Sequence, residues 1–238
     1  VITNDRVIAV VPARGGSKKV PGKNLRPLAG RPLLQWSIDV ARQVPEIDRV
    51  IVSTDDDAIG RVGRQAGAEV YQRPPHLATD SSLVIDALRD LASRLAAEGE
   101  QASVMVLLEP TCPLRTPADV RAVLQLLDRE RLDSAATFTD ASLNPHRAWR
   151  IENNRPDVFV KGAVPWLPRQ SLPEAYQLNG AVYAFRVPLL AVTEVAILGG
   201  SMGAVIMPKE RSVDIDDEMD FAIAELIIER TQNVKDRV

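Results

Sequence analysis

The stretch from Val7 to Leu28, VIAVVPARGGSKKVPGKNLRPL, constrains this chain more than any other. Five successive apolar residues, Val7 to Val11, have the length and β-branched content of a strand buried on both faces. Pro12 closes it, because proline has no N–H to give a sheet. A loop with two adjacent glycines and a third at Gly22 follows, carrying Arg14, Lys18, Lys19, Lys23 and Arg26. No acidic residue interrupts the run between Asp5 and Asp39. Glycines let backbone N–H groups converge on one concavity, and lysines and arginine add full charge, so the loop suits a polyphosphate. The plainer reading is a solvated basic turn.

Spacing excludes the familiar phosphate loops. Five residues separate Gly16 from Gly22 where the Walker pattern has four, and Asn24 stands where a magnesium-binding Ser or Thr would be. Nor does GxGxxG occur here. The loop instead resembles the N-terminal signature of the CMP-sialic acid (N-acylneuraminate) cytidylyltransferase family, close to PARGGSKGxxxKN. Lys19 replaces a glycine of that pattern.

Length and composition fit one globular α/β domain. The chain has 238 residues, 45% of them apolar, which is enough for a full core. Its 29 cations and 32 anions leave a net charge of −3, so the basic loop is local and nothing points to a nucleic-acid partner. One cysteine, Cys112, cannot form an intrachain disulfide and fits a reducing compartment. With no signal-peptide layout and no apolar run of membrane length, the expected location is the cytoplasm.

Along the chain, strands expected at Val50–Thr54, Glu69–Gln72, Val104–Leu108 and Ser134–Thr139 alternate with helices. The expected helices are Leu33–Val44, Ile59–Ala66, Leu83–Glu98 and Ala118–Leu127, with Thr79, Asp80 and Ser81 as caps for the third. Asp55-Asp56-Asp57 reads as a helix cap, with metal binding as the lesser reading. This alternation predicts a Rossmann-like three-layer α/β/α fold with a largely parallel sheet. From residue 141 to 177 prolines and tryptophans break the pattern, predicting a hairpin excursion that serves as a lid or dimer arm within a single domain, 1–238. Strands at Leu178–Phe185 and Gly203–Met207 and a helix at Met219–Arg230 complete the chain.

Three further stretches carry chemistry. In Ser212-Val213-Asp214-Ile215-Asp216, a strand would turn both aspartates to one side. Paired carboxylates need a cation, and magnesium takes one or two of them together with substrate phosphates. Glu109, in LLEPTCPLR, is expected at the carboxyl end of a buried strand, where open α/β sheets bind ligands. The bland reading of Arg115 and its neighbouring prolines is that they shape the turn, and Cys112 reads as a small buried residue. Arg169, in PRQSLP, offers a fork suited to a carboxylate. His76 and His146 lack metal-ligand spacing and receive no role.

The family resemblance runs through all these blocks. It implies that Arg14, Gly15, Gly16, Ser17, Lys18, Lys23 and Asn24 hold the triphosphate of CTP, and that Arg73, Asp80, Ser81 and Ser82 lie on the nucleoside side. It implies that Asp214 and Asp216 bind Mg²⁺, and that Glu109, Arg169, Gln170, Asn179 and Tyr183 meet the sugar. Arg14, Lys23, Asp214 and Asp216 would then be the catalytic set. Glu109 stands for a glutamine of the family, Cys112 for a serine, and the serine pair directly follows Asp80 instead of coming later. The implied reaction joins CTP to a nine-carbon 2-keto sugar acid, such as neuraminate, legionaminate or pseudaminate, and releases pyrophosphate, in a homodimer. Glu109 and the lack of an aromatic pair near Gly199-Gly200 favour a bacterial sugar. The base stays open among Asp216, Glu109 and a cation-bound hydroxide. The alternatives are a 3-deoxy-octulosonate-type or other nucleotidyltransferase, a P-loop kinase, or a nucleotide-binding module without turnover.

Overall fold

In the computed structural model, β1 (Val7–Pro12) is the middle of the molecule, flanked by parallel strands on both sides. The described residues are 6–235, so both extremes of the expected 1–238 domain lie outside them. After β1 come a small ribbon, β2 (Pro27–Leu28) and β3 (Arg31–Pro32), and α1 (Leu33–Arg42). Next are β4 (Arg49–Thr54), α2 (Asp57–Gln65), β5 (Glu69–Gln72), α3 (Val84–Ala97) and β6 (Val104–Leu107). α4 (Pro117–Arg129) leads to β7 (Ser134–Asp140) and to a hairpin of β8 (Trp149–Glu152) and β9 (Arg155–Val158). β10 (Tyr176–Arg186), β11 (Met202–Ile206) and α5 (Glu218–Lys235) follow.

The main sheet has the order β11-β7-β10-β6-β1-β4-β5. All neighbours are parallel except β10, which runs antiparallel between β6 and β7. From β1 the chain steps to β4 on one side and later to β6 on the other. Strand order therefore reverses at β1, and the crevice beyond the carboxyl ends of β1, β4 and β6 is the natural ligand site.

Alternation along β1 explains the three layers. Val7, Ala9 and Val11 join α1, α2 and α4 in one cluster through Leu34, Ile59 and Val120. Ile8 and Val10 face the opposite layer of Leu88, Leu91 and Phe185. A third cluster joins Val20 of the basic loop, Leu28, Leu33, Ile215 and the inner face of α5 at Phe221, Ala224 and Ile228. It has a functional consequence, because one apolar contact fixes the basic loop and the acidic segment against each other.

Several local expectations change. The segment 212–217 is coil, not a strand; its backbone is tied to the rest of the protein by the Ile215 N–H, which donates to the Thr111 carbonyl at 2.8 Å. Burying Ile215 still leaves Asp214 and Asp216 exposed, so the two-residue alternation survives without a sheet. Leu83 is the N-cap residue of α3 and is exposed, and no side chain caps that helix. Within residues 141–177, β8–β9 form a separate two-stranded ribbon. This segment leaves from the carboxyl end of β7 and returns at the start of β10, which pair from Asp140 and Tyr176.

Candidate active site

A cleft of about 430 Å³ opens where the strand order reverses. Arg14, Ser17, Lys18, Lys19, Lys23 and Asn24 form one wall, with Arg73, Asp80, Glu109 and Asp216 around the rest. The residues come from three strand ends and one coil: Arg14 follows β1, Arg73 follows β5, Glu109 follows β6 and Asp216 precedes α5.

The basic loop is held by its neighbours. Asn24, buried, donates from Nδ2 to the Arg14 carbonyl at 3.1 Å. The Gly15 N–H donates to Asp55 Oδ1 at 3.0 Å, and a Cβ at Gly15 would stand 2.8 Å from Asp56 Oδ2. Gly15 is thus a close-approach glycine whose N–H already has an acceptor, and neither it nor Gly16 lines the cleft. Asp56 caps α2 through the N–H groups of Ala58 and Ile59, as the cap reading expected. Asp55 is a site residue that the sequence reading missed. Its signal was position, directly after β4 and beside β1 at the reversal point.

The loop cations meet two carboxylates. Arg14 Nη1 lies 2.8 Å from Asp80 Oδ1, and Lys18 pairs with the other oxygen of Asp80. Lys19 and Lys23 stand 3.5 and 3.7 Å from Asp216. Lys23 also donates to the Ile215 carbonyl at 2.7 Å and is largely buried, so it ties loop to acidic segment. Lys19, the departure from the family loop, was given no role from sequence.

Arg73 is buried and donates to the Ser53 hydroxyl and carbonyl at 3.1 and 2.9 Å, which fixes it in the cleft wall. Burial lowers its pKa, and Asp55 acts against that shift. Ser82 lines the cleft, but its Oγ accepts from the Thr79 N–H and donates to the His76 carbonyl, so it shapes a turn. Ser81 is exposed and outside the cleft wall.

On the sugar side the expected set divides. Glu109 lines the cleft, and burial, with the Asp214 charge adding to it, pushes its carboxyl up to about 7. Tyr183 on β10 pairs with Leu107, and burial followed by the Glu109 charge raises its phenol. Arg115, fully buried, donates to the Ser37 hydroxyl at 2.6 Å and to the Glu109 carbonyl, fixing the backbone that carries Glu109. It shapes the turn, as the plainer reading expected.

Asn179 is not free to hold an acid. Its Oδ1 accepts from Thr137 Oγ1 at 2.7 Å, and its Nδ2 donates to Ser212 Oγ at 2.9 Å. The register between β7 and β10 shifts between Leu178 and Tyr183, so Asn179-Gly180 forms a bulge. Gly180 has φ +72°, and a Cβ there would meet Cys112 Sγ at 2.8 Å. Asn179 therefore positions the acidic segment through Ser212. Arg169 and Gln170 also miss this cleft. They line a second hollow of about 480 Å³, with Arg147 and Lys209, at the root of the excursion.

Asp216 lines the cleft, while Asp214 lies beside it with Oδ1 3.7 Å from Cys112 Sγ. Among the described residues no three His, Cys, Asp or Glu converge as a metal cluster. Two hard oxygen donors at and beside the cleft are the chemistry that suits a magnesium ion, which would take the rest of its shell from phosphates and water.

Glu109 gives a pH prediction. The folded protein holds its proton up to about pH 7, while the unfolded chain releases it near 4.5. The folded state therefore binds more protons across that window, and its stability falls as pH rises through it. In metal-free buffer, urea unfolding at pH 5 and 7.5 should show that loss for the native protein and a flatter profile for Glu109→Gln. Parallel profiles would contradict it.

The comparisons agree with this geometry. The profile of a family described as cytidylyltransferase matches residues 8–197. The CMP-N,N'-diacetyllegionaminic acid synthase of Legionella pneumophila is 31% identical over 95% of this chain and 98% of its own. The post-translational flagellin modification protein B of Campylobacter coli is 29% identical over 97% and 98%. The N-acylneuraminate cytidylyltransferase of Streptococcus agalactiae is 29% identical over 90% of this chain, which spans 51% of that protein. Among solved structures, a CMP:2-keto-3-deoxy-manno-octonic acid synthetase bound to CTP superposes with a TM-score of 0.72 at 20% identity, covering 95% of this chain and 99% of that one. A 4-diphosphocytidyl-2C-methyl-D-erythritol synthase from Anaerococcus prevotii gives 0.64 at 15%, covering 94% and 96%. These last two likenesses bear on the nucleotidyltransferase fold. With its profile match across four-fifths of the sequence and its switch-point cleft, the chain belongs to the cytidylyltransferase family of nucleotidyltransferases.

Proposed function

We propose that this protein transfers CMP from CTP to the anomeric hydroxyl of a nine-carbon 2-keto sugar acid and releases pyrophosphate. The observation that carries the reading is the cleft itself, a space of about 430 Å³ lined by the basic loop and by Asp216, which pairs with Lys19 and Lys23. The relatives similar over nearly their whole length include one named for CMP-legionaminic acid synthesis, which favours a bacterial nonulosonic acid. The coarser reading, CMP transfer to some sugar acid, has the wider support among the relatives' names.

In this reading Arg14, Ser17, Lys18 and Lys23 bind the triphosphate and neutralise charge that grows on the departing pyrophosphate. Asn24 and Asp55 hold the loop in shape, and Arg73 supports the nucleoside end. Asp214 and Asp216 would hold Mg²⁺, which supplies further charge neutralisation at the phosphates when bound. Glu109, with a carboxyl near neutrality in the same cleft, is placed to take the acceptor hydroxyl's proton while Tyr183 packs beside it.

The 141–177 excursion serves as a dimer arm in this proposal. Its Ile151, Phe159 and Trp166 are exposed, and Trp149 and Trp166 sit 6.1 Å apart, an apolar face that a second copy would cover. Incubating the protein with CTP, Mg²⁺ and a panel of eight- and nine-carbon 2-keto acids, with mass detection of the product, tests the substrate. The expected product is the CMP ester of a nine-carbon acid. Turnover of an eight-carbon acid alone would move the function to the octulosonate type.

A further inference from the structure

Each cation of the loop that reaches the cleft is already paired with a carboxylate across it. Lys19 and Lys23 face Asp216, whereas Arg14 and Lys18 share the two oxygens of Asp80. Asp80 sits on the turn between the 3-10 helix Pro75–Leu77 and α3. That turn is fastened by other groups: Ser82 Oγ accepts from the Thr79 N–H at 3.0 Å, donates to the His76 carbonyl at 3.0 Å, and lies 2.7 Å from Thr79 Oγ1. The Asp80 carboxylate caps no helix. It stands between two cations at the cleft wall, where an incoming phosphate would have to sit. Lys18 and then Arg14 hold its carboxyl below the ordinary range, so it remains an anion at any working pH.

We propose that Asp80 is a resident counter-anion, an internal competitor that the phosphate tail displaces from Arg14 and Lys18 and that thereby sets affinity for nucleotide and for pyrophosphate. This rests on the nucleotide reading of the cleft, but it reverses the role that resemblance gave Asp80. A nucleotide contact would weaken binding when lost, whereas a competitor strengthens it. The design has a chemical use: an acid that returns to the cations as pyrophosphate leaves keeps the product from binding too tightly.

Titration calorimetry of the native protein, Asp80→Asn and Asp80→Ser, with inorganic pyrophosphate and with CTP in chelator, distinguishes these roles. Asp80 is half-exposed and the turn does not depend on it, so both variants should melt with the native protein. Both should bind pyrophosphate about fivefold tighter, the scale of one or two half-exposed ion pairs, and the gain should shrink as salt rises. Unchanged or weaker binding by the variants, with native binding intact, would overturn the proposal alone. Absence of binding by the native protein would instead overturn the nucleotide reading and the proposal with it.

Discussion

Replacing Lys23 by methionine should lower kcat/KM for pyrophosphate release by about 100-fold or more, with the fold intact. Methionine keeps the length of the side chain and its apolar contacts, and removes the charge and its donors. Two interactions go together. One is the donation to the Ile215 carbonyl at 2.7 Å, which ties the basic loop to the acidic segment. The other is the charge facing phosphate and Asp216, whose carboxylate is 3.7 Å away. A charge-assisted hydrogen bond contributes roughly 1.5–3 kcal/mol, and about 1.4 kcal/mol is tenfold in rate, so losing one and loosening a second reaches that range. Unfolding stability should fall by only about 1 kcal/mol, since the third apolar cluster still holds Val20 and Ile215 together. Steady-state kinetics beside a urea melt checks both parts. A loss in activity matched by a collapse in stability would place Lys23 in the scaffold instead.

The second large effect is expected at Asp216. Asp216→Asn keeps shape and removes charge, so the cation concentration giving half-maximal rate should rise more than about tenfold, with a fall in kcat of about 100-fold. Chelator-phase binding of CTP should not weaken, because Lys19 and Lys23 lose an internal partner when the charge goes. The Lys23→Met/Asp216→Asn pair should fall short of additivity, as expected for groups in contact. Half-saturation by Mg²⁺, measured by pyrophosphate release, gives the answer. An unchanged half-saturation would exclude Asp216 as a cation ligand.

The layered fold was legible because its signals are local. Buried strands announce themselves as short β-branched runs, and Asp56 and Pro117 mark helix starts. The switch point was not legible, because alternation of strand and helix does not give the order of strands in the sheet. The reversal of β10 was not legible, because the periodicity of a buried strand carries no direction. The two-sided role of Gly15 was also hidden, since its partners Asp55 and Asp56 lie forty residues away.

In the site, single-residue chemistry named residues that line one cleft, among them Arg14, Lys18, Lys23, Glu109 and Asp216, and did not show how other side chains are bonded. Asn179 looked like a ligand contact, but an Asn-Gly pair inside a strand is also the signature of a bulge, and its amide is taken up by Thr137 and Ser212. Asp80 and Ser82 looked like nucleotide contacts, and their bonds go instead to the loop cations and to the turn. Arg169 lies outside the cleft because the excursion that carries it springs from β7 and β10, displaced along the sheet from β1, β4 and β5. Sequence names the residue types that chemistry needs. Which of them are already satisfied by neighbours depends on distant contacts that a linear reading does not contain.

The measurement that bears most directly on the central claim is pyrophosphate release with Mg²⁺ and one nine-carbon 2-keto acid, run in parallel with CTP, UTP, ATP and GTP. Release should require both CTP and the acid and be at background with the other three nucleotides. Equal release with another nucleotide, or none with any despite measurable CTP binding, would contradict cytidylyl transfer at this cleft.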